Sequence, residues 1–131
     1  MSLLLSLIER CVTEGALVGY GEDAFIDFTP EVPDSVVVFH EYAGDALTPF
    51  TDSVHRSVQI KVRDISAEKA RTKALQVLKV FKSETENLRV DFSEDLWGQV
   101  YIRQLPFKLQ QDSGNRVTYC FNLGITTNIL E

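Results

Sequence analysis

Residues Ser57–Ser83 read SVQIKVRDISAEKARTKALQVLKVFKS, and their hydrophobic period changes part-way along. In Ser57–Arg63, apolar Val58, Ile60 and Val62 alternate with Gln59, Lys61 and Arg63. A period of two belongs to a strand with one buried face. Past Asp64-Ile65 the period lengthens. Ser66 is placed as an N-cap, its hydroxyl accepting from free amides of the first turn. Glu68 follows where the helix dipole favours an anion. Ala70, Ala74, Val77, Leu78 and Phe81 then fall on one face of a helix, and Lys69, Arg71, Lys73, Lys79 and Lys82 on the opposite one. A strand running directly into an amphipathic helix calls for a sheet-plus-helix core. Val58, Ile60, Val62, Ala74, Leu78 and Phe81 are its expected interior.

The flanks extend that core. Leu3, Leu4, Leu7, Ile8, Cys11 and Val12 recur at helical spacing, predicting a first helix that stops near Gly15. A glycine-punctuated link leads to a short strand over Ala24–Phe28, and Pro30 and Pro33 keep the next segment extended. Ser35–Tyr42 reads as a strand. Its unbroken apolar run Val36–Phe39 suits the sheet interior, covered on both faces. Ala43–Arg56, with Gly44 and Pro49, is too long for a tight turn, and loops of that length usually carry function. Glu84–Gly98 is a second irregular stretch and holds the single tryptophan, Trp97. Two strands, Gln99–Gln111 and Arg116–Thr126, close the chain. The order implies an α+β fold: a mixed, mostly antiparallel sheet with two helices packed on one face. Residues 1–126 form one domain, and 127–131 a flexible C-terminal tail.

Parity fixes the expected register of the closing hairpin. Leu105, Phe107 and Leu109 are odd-numbered, as are Val117, Tyr119, Phe121, Leu123 and Ile125. For odd to face odd, opposed residue numbers must have an even sum, because a one-residue slip turns a whole apolar set outward. Parity admits a three-residue loop, Ser113-Gly114-Asn115, or next a five-residue one, Gln111–Asn115; the first is expected, with Asp112 opposite Arg116, Leu109 opposite Tyr119 and Phe107 opposite Phe121. Gly114 or Asn115 supplies the left-handed residue of a three-residue turn, and Asp112 and Arg116 form an opposite-charge cross-strand pair.

At 131 residues and 44% apolar composition, the chain is a single globular domain with a real core. Cys11 and Cys120 make neither a disulfide framework nor a metal spacing, and they fit buried small apolar roles in a reducing compartment. The start, MSLLLSLIERC, resembles a secretion signal only weakly, since it has no basic leader and Glu9-Arg10 end its apolar run. A cytosolic site of synthesis is the reading. His40 and His55 lack ligand-spaced partners, Cys120 lacks a base, and Gly19-Tyr20-Gly21 lacks the rest of a dinucleotide fingerprint. The carboxylate groups Glu22/Asp23/Asp27 and Glu94/Asp95 do not match a calcium loop. No catalytic residue, metal site or cofactor is expected, and the protein reads as a non-enzyme.

Charge is unevenly spread. The net charge is −6, but residues 1–52 hold ten Asp/Glu and one Lys/Arg, while residues 61–82 hold seven Lys/Arg and two acids. The plain interpretation is a solvated helix face. The sharper one is head-to-tail self-association of an acidic patch with a basic patch. A pI near 4.9 and a basic run without interleaved aromatics argue against a nucleic-acid binder.

Three blocks, GEDAFIDFTPEVPDSVVVFHEYAG, SVQIKVRDISAEKARTKALQVLKVF and PFKLQQDSGNRVTYCFNLGITTN, resemble the tail terminator family of minor capsid proteins of tailed phages and prophages. The strand and helix opening SAEKARTKA is the most telling block, and the resemblance extends over about residues 1–126. It implies a structural virion protein at the tail–neck, assembled in the host cytoplasm. Such a protein forms a hexameric ring on the tail tube, stops tube polymerisation and joins tail to head. The implied partners are further copies of itself, the major tail tube protein and a head-completion or neck protein. DNA would pass through the lumen without specific binding, and an acidic lining would avoid trapping its phosphates. Leu47 and Phe50 on the long loop, Lys69 and Lys73 on the basic helix, and Glu22 and Asp23 in the acidic half are the expected interface residues. The alternatives are a head-completion or neck connector docking on the portal, and a small ligand-binding domain unrelated to phage.

Overall fold

In the computed structural model, which describes residues 2–42 and 53–128, the elements are α1 (Leu3–Thr13), β1 (Ala24–Ile26), β2 (Val36–Tyr42), β3 (Val54–Asp64), α2 (Ala67–Glu84), β4 (Val90–Asp91), β5 (Trp97–Gln111) and β6 (Val117–Thr127). One six-stranded sheet runs β1-β2-β3-β6-β5-β4. Only β1 and β2 pair in parallel; every other neighbour is antiparallel. The fold is thus α+β, with a mixed and mostly antiparallel sheet.

Local chemistry sets both helices. Ser2 Oγ accepts from Leu5 N at 3.1 Å and caps α1. Ser66, in an extended backbone conformation, accepts from Lys69 N at 3.2 Å and caps α2. Both helices turn their apolar stripes onto the same side of the sheet. Leu3, Leu7, Ile8 and Cys11 of α1 join Ala74, Val77, Leu78 and Phe81 of α2 in one cluster with Val58, Ile60 and Val62 of β3. The register lines this face up across three strands: Phe39 of β2 lies opposite Ile60, and Ile60 opposite Phe121 of β6, all fully buried. Each such side chain stabilises the fold by about 1.5–3 kcal/mol relative to exposure.

The opposite face has its own, smaller apolar patch. Phe25 of β1 packs with Val36 and Val38 of β2, so the run Val36–Phe39 is buried on both faces of an interior strand. Phe28 meets Phe25 edge-on at 5.4 Å. The loop beyond it is held by two arginines. Arg63 donates to the carbonyls of Asp34 (3.0 Å) and Pro33 (2.7 Å), and Arg116 donates to that of Glu31 (2.7 Å).

Several boundaries differ from the sequence expectation, each for a tertiary reason. Strand β3 starts at Val54, so Val54–Arg56 belong to the sheet and not to a loop. Arg56, buried in that strand, is held by Glu41, its Nε and Nη2 donating to the carboxylate at 2.7 and 2.6 Å. Strand β6 runs through Thr127, which is buried opposite Val54. Within Glu84–Gly98, Val90 and Asp91 form the short β4, and Val90, Phe92 and Leu96 enter the core.

The closing hairpin turns as parity required but does not stay in register. Asp112 N donates to Arg116 O at 3.0 Å, and Asn115 takes the left-handed conformation (φ 62°). Three bulges in β5 then shift the ladder, so Lys108 lies opposite Tyr119 and Phe107 opposite Cys120. Leu109 and Phe107 therefore do not face Tyr119 and Phe121. By the far end even-numbered Val100 and Ile102 face Ile125 and Leu123 and carry the buried face. Leu105 and Leu109 are left exposed.

Candidate assembly surface

The two edges of the sheet differ. Beyond β5 lies only β4, which pairs with Trp97 and Gly98. From Gln99 to Gln111 the outer side of β5 has no strand neighbour among the described residues. This long edge displays Leu105 (68% exposed) and Leu109 (40% exposed), with Tyr101 and Lys108 also at the surface. Its bulges and Pro106 are the devices by which edge strands avoid indiscriminate pairing, so the edge suits a specific contact. The other edge, β1, is three residues long and is met at Ala24 by its own chain. Tyr20 bridges Ala24, and Gly21 N donates to Ala24 O at 2.8 Å. Phe28 (56% exposed) and Val32 (75% exposed) follow it in the chain, and Val18 and Tyr20 are also at the surface.

Charge is unevenly spread along the chain. Residues 22–34 hold five carboxylates and no base, and residues 99–111 hold two bases and no acid. Much of the charge, including Glu31 and Asp34 of those five carboxylates, works inside the molecule. Arg56 grips Glu41, Arg116 contacts Glu31 and Asp34 at 3.2 and 3.6 Å, and Arg10 meets Glu84 at 2.9 Å. Burial raises the Glu84 carboxyl above the usual glutamate range, against the opposing pull of Arg10. Burial likewise pushes the Cys11 thiol up to about 12, so it stays protonated in the core.

Of the expected interface residues, Glu22 and Lys69 are exposed. Asp23 and Lys73 are half-buried and serve the fold. The Asp23 carboxylate accepts from the amides of Val18 and Gly19 at 3.0–3.1 Å. Lys73 Nζ donates to Ala16 O at 2.8 Å. Leu47 and Phe50 lie outside the described residues. Val58, Ile60, Val62, Ala74, Phe81 and Leu78 all lie in the core. Among the described residues, no group of three His, Cys, Asp or Glu side chains is placed to hold a metal. Within the same residues no helix is long and apolar enough to cross a membrane.

A family model described as bacteriophage tail terminator protein matches residues 13–129. The chain belongs to that family. No curated protein matches it. As a tail terminator it is a structural protein of the phage tail, and its working parts are surfaces. The match begins at the end of α1 and takes in the whole sheet and α2, so both edges described above lie inside it. Leu105 and Leu109 are the surface residues of this terminator that patterning assigned otherwise. The signal that points to them is Pro106 between two apolar residues: proline within a strand belongs to an edge or a bulge.

Proposed function

We propose that this terminator forms a ring on the end of the tail tube, halts tube growth and presents a surface to the neck of the head. The observation that carries the reading is the open β5 edge: thirteen residues, Gln99–Gln111, with exposed leucines and no strand beyond them among the described residues. An apolar, hydrogen-bonding edge of that length on a structural protein is suited to assembly. Further copies of the chain, the major tail tube protein and a head-completion protein are the proposed partners. A net charge of −6 favours passage of DNA through such a ring without capture. The test is to add the purified protein to polymerising tail tube protein and image the product. Tubes of limited length bearing an annular cap at one end are expected. Unchanged tube growth, or binding to portal-bearing heads and not to tubes, would overturn the reading in favour of a neck connector.

A further inference from the structure

We infer that a stripe of three bases on the outer side of α2, formed by Arg71, Lys79 and Lys82, contacts the backbone of duplex DNA; this rests on the ring-forming reading above, which brings DNA past the protein. The three fall at i, i+8 and i+11, on one side of the helix. Lys69 and Lys73 stand two residues either side of Arg71 and do not share that side. Ala74, Val77 and Phe81 are fully buried in the core, whereas Arg71, Lys79 and Lys82 are all exposed. From the first base to the last the stripe spans about 16 Å at 1.5 Å per residue.

Three observations select DNA as the occupant. The first is charge without an internal partner. Arg10, Arg56, Arg89 and Arg116 are committed to carboxylates and Arg63 to carbonyls. Among the described residues, no acid stands in ion-pair range of Arg71, Lys79 or Lys82. Of the two acids in α2, Glu84 is held by Arg10, and Glu68 lies one turn ahead of Arg71. The second is the lack of apolar surface. None of the large exposed apolar side chains belongs to α2, whereas a protein interface has an apolar centre in which lysine is depleted. The third is the neighbours. Thr72 and Gln76 are exposed on the same helix, and Lys, Arg, Thr and Gln are the side chains that donate to phosphate and sugar. Over about 16 Å a duplex offers roughly ten negative charges, one per 1.7 Å of axis. The missing aromatics exclude stacking on a single strand, and backbone contact with a duplex does not need them. Three bases on a chain of net charge −6 make that contact weak and independent of sequence, which suits DNA that slides past and is not held.

The test titrates the protein against a fluorescently labelled duplex of mixed sequence, read by anisotropy from about 50 to 200 mM salt. Wild-type affinity is expected to fall with salt by about 0.9 in log–log slope for each base in contact. Each of Arg71→Gln, Lys79→Gln and Lys82→Gln should flatten the slope by about one. The triple variant should bind at least about tenfold more weakly at the lowest salt. Its three positions are exposed, so thermal melts close to the wild type are expected. Lys69→Gln with Lys108→Gln, which removes two bases off the stripe, should leave the slope unchanged. No binding by the wild type, a triple variant that binds like it, or an equal loss in the off-stripe control would overturn the assignment. The triple variant should also still cap tail tubes; loss of capping with DNA binding intact would make the stripe a protein contact and overturn it too. A wild type that caps tubes and binds no DNA removes the stripe and leaves the ring standing. A wild type that binds DNA through the stripe and caps no tubes would instead sink the ring-forming reading.

Discussion

Two glycines in the central ladder show how closely β5 and β6 are fitted. A Cβ built on Gly98 would lie 1.9 Å from the carbonyl oxygen of Thr126 and 3.0 Å from Cα of Thr127. Both are backbone atoms, so β5 must move for any side chain to fit. On Gly124 a Cβ would meet the Tyr101 ring at 2.1 Å, but that ring is partly exposed and can swing away. Gly98→Ala is therefore expected to cost about 1–3 kcal/mol, the usual range for overpacking, and Gly124→Ala less. The Gly124→Ala loss should shrink when Tyr101→Ala is added, whereas Gly98→Ala should be indifferent to it. Urea unfolding of the two double-mutant cycles measures this coupling, and equal losses for the two glycines would contradict it.

At the scale of elements, the unit from β3 to α2 is legible in sequence because each signal has one meaning. Val58, Ile60 and Val62 alternate, Ser66 caps, and the helical stripe follows. The β5 strand is harder. Leu105, Phe107 and Leu109 alternate as a buried face does, yet periodicity states only that one face differs from the other, and not what covers it. Three bulges then reverse the parity along the ladder. Arg56 is similar: its charge reads as loop, and partners such as Glu41 on the neighbouring strand make its burial tenable. The candidate surface was correspondingly less legible than the fold, since the local ties of Asp23 and Lys73 and the exposure of Leu105 depend on tertiary neighbours. The turn joining β5 to β6 is the exception, being set by short-range chemistry. Asp112 Oδ1 accepts from Gly114 N and Arg116 N at 3.0 and 2.9 Å, and Oδ2 accepts from Arg116 Nε at 2.7 Å. The Arg116 amide, foremost among these, holds the carboxyl below the usual aspartate range. With the folded value depressed, the folded state binds fewer protons than the unfolded one below about pH 4. The stabilisation is thus present above that value and is lost as pH falls through the depressed one. Asp112→Asn should lower the urea midpoint at neutral pH, and the gap from the wild type should narrow on acidification from pH 4 to 2. A gap that stays constant would remove the carboxylate from the turn's stability.

For the whole molecule the question is what the uneven charge does. Part of it is internal: Arg63 and Arg116 hold the loop around Glu31–Asp34, and Lys73 ties α2 to Ala16. The two lysines expected at an interface therefore make different tests. Lys73→Glu would break a hydrogen bond and set a carboxylate against a carbonyl oxygen. It should cost about 1–3 kcal/mol of fold stability whatever the state of assembly, so its effect on oligomers is confounded. Lys69 is exposed in the first turn of α2 with its amide donated to the Ser66 cap, where an acidic side chain suits the helix dipole, so Lys69→Glu should leave the fold as stable as the wild type or more stable by about 0.3–1 kcal/mol. Any loss of assembly in Lys69→Glu then reports on the interface alone. Individual surface pairs contribute about 0–1 kcal/mol, so one reversal should weaken the proposed ring modestly, and raising salt beyond physiological strength, where screening acts over about 8 Å, should weaken the wild-type ring more. Sedimentation of both proteins across a salt series, with thermal melts as the control for folding, reads these effects separately. If Lys69→Glu assembles like the wild type, and neither protein responds to salt, the basic face of α2 is solvent-facing charge. The proposed association would then have to rest on exposed apolar side chains such as Leu105 and Leu109.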